Sequence, residues 1–224
     1  MLRAQSHKIT KNAFPLLHCC AKGHIQPSDA AILHCGTYFL TGDLTTETGS
    51  APYAAPEKDL NEMGEIPPMG YVPKQMYAWA IRRERHGNPD TAMLQEVVDV
   101  PTLDSNDVLV LVMAAGVNYN GVWAALGQPI SPFDGHSQPY HIAGSDAAGI
   151  VWAVGDRVKR WKVGDEVVGH CYQDDGDDEH CNGGDPMYSP TQRIWGYETP
   201  DGSFGQFTRV QSQQLMPRPK HLTW

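Results

Sequence analysis

The stretch AGSDAAGIVWAVGDRVKRWKVGDEV, residues 143–167, decides the fold. Residues 148–154 read as an apolar, partly β-branched strand, Gly155-Asp156 and Gly164-Asp165 are turn dipeptides, and a second strand is predicted over 166–170. Ahead of the first strand, Gly144 and Gly149 bracket the small-residue run Ser145-Asp146-Ala147-Ala148. That composition suits a close backbone approach or a tight strand entry, and packing at a barrel corner explains it equally well. Upstream, residues 108–115 are too continuously apolar and β-branched for a half-exposed strand, which places them at the centre of the core. They lead through Gly116-Val117-Asn118-Tyr119-Asn120-Gly121 into a short helix-compatible run, 122–126, closed by Gly127. Farther out, residues 78–82 and 93–98 are short strands around the turn residues Gly87-Asn88-Pro89-Asp90, predicting a hairpin-like start, and 204–210 is a further strand. Many short strands with little helix make a mainly β fold with short helices, a closed or partly closed β-barrel.

Bulk properties narrow the function. A net charge of −9 argues against a nucleic-acid partner, because neutralising phosphates takes clustered Lys and Arg. The basic clusters at 82–85 and 159–162 are short and read as solvated faces or subunit contacts. No apolar run approaches the ~20 residues that span a bilayer. An odd number of scattered cysteines, five, fits a reducing cytoplasm better than a disulfide framework, and the segment before Lys8 has no signal-peptide pattern.

Residues 1–53 show no sustained period and are expected to be a poorly ordered or unrelated extension. His18, Cys19, Cys20, His24, His34 and Cys35 lack the paired spacing of a zinc site. Residues 54–76, rich in Pro, Gly, Glu and Met, are expected to form an extended arm, and 77–224 the folded domain. The acidic stretch 173–185 departs from the spacing of a calcium loop and reads as a solvated insertion between strands. Cys171 and Cys181 read as structural or free thiols. No Gly-x-Gly-x-x-Gly turn occurs anywhere, so no cradle for a dinucleotide pyrophosphate is expected in this chain.

Residues 143–167 resemble the quinone-oxidoreductase branch of the medium-chain dehydrogenase/reductase superfamily, whose members pair a GroES-like barrel with a dinucleotide-binding Rossmann domain. A zinc-dependent alcohol dehydrogenase would show Gly-His-Glu where this chain has Gly144-Ser145-Asp146, so no metal is expected. Adding Lys58-Asp59-Leu60, Pro73-Lys74 and the segments 77–87, 131–136, 192–199 and 218–224 narrows the resemblance to the crotonyl-CoA carboxylase/reductases, over residues 54–224. It implies a GroES-like substrate-side domain lacking the Rossmann domain, with residues 217–224 as the approach to it. It further implies a cytoplasmic, NADPH-dependent enzyme, tetrameric when full length, that acts on an enoyl-CoA and carbon dioxide. Hydride reaches the β-carbon and the resulting enolate attacks carbon dioxide, giving ethylmalonyl-CoA from crotonyl-CoA. Such a chain by itself is expected neither to bind NADPH tightly nor to turn over. The resemblance leaves room for an enoyl-CoA or quinone reductase without carboxylation, and for a non-catalytic assembly module.

In the family an Asn, an aromatic-Glu pair and a His surround the carbon dioxide. The first three map onto Asn118, Tyr197 and Glu198, and the His falls beyond Trp224. An amide donates to a carbon dioxide oxygen without adding a charge, and a fixed donor needs little reorganisation. Asn118 also stands where a helix N-cap would, and the two roles coexist only if the cap leaves the amide free. Glu198 suits the ordering of a water or a neighbouring donor, since a bare carboxylate beside a developing carbanion destabilises it. A surface acid in a turn before Pro200-Asp201-Gly202 is the plainer reading. Tyr197 supplies a ring face.

Overall fold

The computed structural model describes residues 57–224. The expectations for residues 1–53, including that His18, Cys19, Cys20, His24, His34 and Cys35 form no zinc site, lie outside the described residues. Residues 57–74 form neither strand nor helix, as their proline and glycine content requires. They are stitched to the domain through polar contacts. The Trp152 indole N–H donates to the Tyr71 carbonyl at 2.6 Å, and the Gln206 amide donates to the carbonyls of Asn61 and Glu62 at 3.1 and 3.2 Å.

Strands β1 (Gln75–Ile81) and β2 (Leu94–Asp99) pair antiparallel from Gln75↔Asp99 to Ala80↔Leu94, which is the hairpin-like start read from the sequence. Their connection holds more than a turn: a 3-10 segment, Arg83–Arg85, and a one-turn helix, α1 (Pro89–Ala92), whose first position is the proline. Strand β3 (Asp107–Ala115) runs into helix α2 (Tyr119–Leu126). Strand β4 (His141–Ile142) returns to pair with β1, and β5 (Ala147–Val154) lies against β3. Strand β6 (Glu166–Gly169) pairs with β5, β7 (Tyr172–Gln173) with β8 (Arg193–Ile194), β9 (Phe207–Gln211) with the free side of β3, and β10 (Leu215–Pro217) with β6. The result is a five-stranded sheet in the order β10-β6-β5-β3-β9, a three-stranded sheet β2-β1-β4 and the small β7-β8 pair.

Strand β3 has no polar face because both of its faces are covered. Leu109 and Leu111 pack into a cluster with Met76, Trp152 and Phe207, while Val108 and Val110 pack into a second one with Val151, Trp161 and Trp195. A strand buried on both sides needs the unbroken apolar run seen here. The two larger sheets meet through residues 204–206, where Trp79 N–H donates to the Phe204 carbonyl at 2.8 Å, Gln206 N–H to Tyr77 at 3.1 Å, and Val112 N–H to Gln206 at 2.9 Å. Ala78 and Gly205 form an isolated bridge at that seam. The strand expected over 204–210 therefore starts only at Phe207, its first residues being used as the bend that partly closes the barrel. No helix among the described residues is long and apolar enough to cross a membrane.

Gly149 settles one open point in the 143–167 stretch. It pairs with Val112 on β3, and a Cβ there would overlap the Leu111 carbonyl oxygen and press on the Val110 side chain. Gly149→Ala is expected to lower stability by about 1–3 kcal/mol, the range for forced overpacking, read as a drop in the urea midpoint at unchanged slope.

Candidate functional site

Asn118 is in extended conformation, with φ −128° and ψ 179°, and its side chain caps α2: Oδ1 accepts from the Asn120 backbone N–H at 2.9 Å. Gly127 closes the same helix in the left-handed region at φ 66°. The rest of the amide is also engaged. Nδ2 donates to Ser145 Oγ at 2.8 Å and to Asp146 Oδ2 at 2.6 Å, and Asn120 Nδ2 donates to the same Ser145 oxygen at 3.3 Å. Ser145 is 1% exposed, whereas Asp146 faces solvent. The Gly144-Ser145-Asp146 segment thus carries a polar cluster of amides, a hydroxyl and a carboxylate, joining the end of β3 to the start of β5.

Tyr197 and Glu198 sit in a tight turn. The Tyr197 and Glu198 N–H groups both donate to the Ile194 carbonyl, at 3.1 and 2.8 Å, and Glu198 Oε2 accepts the Ile194 N–H at 2.6 Å. The carboxylate therefore orders a neighbouring backbone donor. Gly196, at φ 71°, is pressed so closely on the Gly144 carbonyl that no Cβ fits between them. The Tyr197 ring is buried with Ala124, Ala125, Phe133 and Ala143, and its hydroxyl donates to the Ile130 carbonyl at 2.8 Å. Burial pushes the phenol above its ordinary range, with the Ile130 bond opposing and Glu198 adding, so the group is a protonated donor. Ile130, Ser131, Gly135, Arg193, Tyr197 and Glu198 line a cleft of about 270 Å³ with Pro132, Asp134 and Gln192.

The three residues named from the sequence thus fall in two adjoining places. Tyr197 and Glu198 share the cleft, and Asn118, which does not line it, lies in the Ser145–Asp146 cluster. The two places are joined by the Gly144–Gly196 contact and by α2, whose Ala124 and Ala125 pack with Tyr197. From the sequence, Ser145 and Asp146 are members of a small-residue run with a backbone role. Their partnership with Asn118 spans 27 and 28 positions, and no local pattern announces it.

A half-buried histidine, His136, which lines a second cleft, stacks on a fully buried one, His141. His136 Nε2 and His141 Nδ1 are 3.2 Å apart with the rings stacked at 5.4 Å, and His141 is 0% exposed. In the acidic stretch, Asp175, Asp178 and Cys181 draw together, but Asp178 is occupied by the Ser189 hydroxyl and by the His180 and Cys181 N–H groups. These bonds, the Ser189 one foremost, hold its carboxyl down at about 2. Loop closure accounts for it, and Cys171 and Cys181 are free thiols.

Burial, and then the neighbouring His136, lower the His141 imidazole to about 3. The unfolded chain, with a histidine near 6.5, then binds an extra proton between those two values. Stability from this group is complete above about pH 6.5 and is lost toward pH 3, by at most about 1.4 kcal/mol per pH unit. His141→Gln is expected to flatten the fall of the denaturation midpoint between pH 7 and pH 5 relative to the parent; equal falls would remove His141 as its source.

The alcohol dehydrogenase GroES-like domain family matches residues 104–220. The chain is 78% identical over 181 residues to the crotonyl-CoA carboxylase/reductase of Cereibacter sphaeroides, covering 81% of this chain and 42% of that protein. It is 41% identical to the crotonyl-CoA reductase of Streptomyces avermitilis over 67% of this chain and 36% of that one. A solved crotonyl-CoA carboxylase/reductase superposes with a TM-score of 0.74 at 73% identity, over 76% of this chain and 40% of the other. A 2-octenoyl-CoA carboxylase reductase in complex with NADP and 2-octenoyl-CoA does so with 0.65 at 36% identity, over 68% and 39%. The chain spans less than half the length of each of these relatives.

Proposed function

From a chain that belongs to the alcohol dehydrogenase GroES-like domain family, we propose the substrate-side domain of an NADPH-dependent reductive carboxylase, acting on an enoyl-CoA and carbon dioxide. The likeness to carboxylase/reductases at 78% and 73% identity supports the family of reaction. The observation that carries the assignment to this region is the uncharged Asn118 amide just beyond the end of β3, joined through the Gly144–Gly196 contact to the Tyr197-Glu198 turn. Where a zinc-binding relative needs an imidazole, Ser145 offers a hydroxyl that already accepts from two amides.

NADPH supplies the hydride in this reading. The described residues do not fit its pyrophosphate: α1 and α2 are the only α-helices among them, and the start of α2 is closed by Asn118 itself. This chain's share is accordingly the carbon dioxide side. The Asn118 N–H polarises a carbon dioxide oxygen without bringing in a charge, the Tyr197 ring excludes water, and Glu198 is kept from the reacting carbon by its bond to Ile194 N–H. The tetramer and the cytoplasmic setting belong to the same proposal.

A second reading, reduction of an enoyl-CoA without carboxylation, is favoured by the commitment of both Asn118 N–H groups to Ser145 and Asp146. The two are separated by grafting this chain in place of the matching region of the Cereibacter sphaeroides enzyme and measuring carboxylated against simply reduced product. The graft is expected to carboxylate, and Asn118→Ala to lower the carboxylated share by about tenfold while NADPH oxidation continues. An unmoved ratio leaves Asn118 as a helix cap only. The chain alone, with NADPH, crotonyl-CoA and bicarbonate, is expected to leave the reduced-cofactor absorbance steady, and a sustained decline would overturn that.

A further inference from the structure

A side-chain amide has nearly the same shape in its two flipped orientations, and its neighbours decide whether nitrogen or oxygen faces a substrate. Resting on the function proposed above, we infer that Asp146, together with the Asn120 backbone N–H, positions Asn118 so that it presents its nitrogen. The Asn118 Oδ1 accepts the Asn120 backbone N–H at 2.9 Å, and Nδ2 donates to Ser145 Oγ at 2.8 Å and Asp146 Oδ2 at 2.6 Å. A hydroxyl accepts or donates, so Ser145 tolerates either orientation. An ionised carboxylate only accepts. Flipping the amide would set Oδ1 against the Asp146 carboxylate and Nδ2 against the Asn120 N–H, losing one charge-assisted bond and opposing like groups at both places.

Asp146 is itself held for this task. Its carbonyl accepts the Gly116 N–H at 3.1 Å, and its side chain lies over the Gly116 backbone where a Cβ would come within 2.8 Å of the Asp146 Cβ and 3.1 Å of Oδ2. Glycine at 116 therefore gives the carboxylate its seat. The two acceptors on Nδ2 also differ in exposure. Ser145 is 1% exposed, so its bond to Asn118 has no water to replace it, whereas Asp146 stands at the solvent-facing side. A carbon dioxide oxygen entering the site thus joins the Asp146 oxygen on the outward N–H as a three-centre bond, so that the carboxylate goes on holding the amide, while the Ser145 bond persists. Asp146 acts through Asn118.

The test uses the grafted full-length enzyme with crotonyl-CoA, NADPH and saturating bicarbonate, reading carboxylated and reduced products separately. Asp146→Asn, close in shape but able to offer nitrogen or oxygen, is expected to lower the carboxylated share about tenfold, the worth of a charge-assisted bond, with NADPH oxidation within about twofold of the parent. Asp146→Ser, which also cannot discriminate, is expected to do the same. Gly116→Ala, which unseats the carboxylate, should follow them, and Asp146→Glu should restore most of the share. If Asn118→Ala lowers the share and neither Asp146→Asn nor Asp146→Ser does, the inference is wrong and the proposed site stands. If the parent graft carboxylates and no variant at either position moves the ratio, both fall together.

Discussion

One contact between two glycines sets the site. Gly196 presses on the carbonyl of Gly144 with no room for a Cβ on either side: at Gly196 it would overlap that carbonyl, and at Gly144 it would run into Ser203 Oγ and the Phe204 ring. Both residues have positive φ, 71° and 106°, a region that glycine enters without steric cost. A side chain at Gly196 would lift the Tyr197-Glu198 turn off the segment that carries Ser145 and Asp146, and one at Gly144 would push that segment off Ser203 and Phe204. The neighbouring chains then exchange backbone bonds at close range. Ile142 N–H donates to Pro200, Gly202 N–H to Ile142, Ser203 N–H to Gly144 and Phe204 N–H to Ala143, at 2.7 to 3.0 Å. Each such bond contributes roughly 1 kcal/mol net, and a buried one left open costs more, so residues 200–204, which follow the turn, are tied to 142–144.

That tie explains which parts of the fold were legible in the sequence. Strand β3 announced itself because a strand covered on both faces must be apolar throughout, and the hairpin of β1 and β2 because Gly-Asn-Pro-Asp interrupts two β-prone runs. The two-residue strands β4, β7 and β8 carry no period at all. Strand β4 exists because Ala80 and Ile81 offer it a ladder and Pro200 accepts from Ile142, both distant in sequence. Residues 204–206 look like the start of a strand and are its approach, since they serve two sheets at once.

The site divides in the same way. Asn118 as a helix cap follows from its place before a helical run, and the structure has that cap. Its bonds to Ser145 and Asp146 cross 27 and 28 positions, and nothing in a run of small residues says that a hydroxyl and a carboxylate will both turn toward one amide. Tyr197 and Glu198 were marked only by resemblance. Their geometry comes from Gly196 and Gly144, the second of which from sequence alone reads equally well as barrel-corner packing.

What these contacts produce is a turn whose own groups carry little unpaired charge, with Arg193 and Asp134 at the exposed side of the cleft. Tyr197 is held protonated by burial, His141 is driven neutral at the back of the same turn, and Asn118 is neutral by nature. Glu198 takes an N–H from Ile194 and Asp146 one from Asn118, while Asp134 faces Arg83. Under the proposed function, an unpaired negative charge would destabilise a carbanion formed beside carbon dioxide, and pairing Glu198 and Asp146 each with a fixed donor meets that demand.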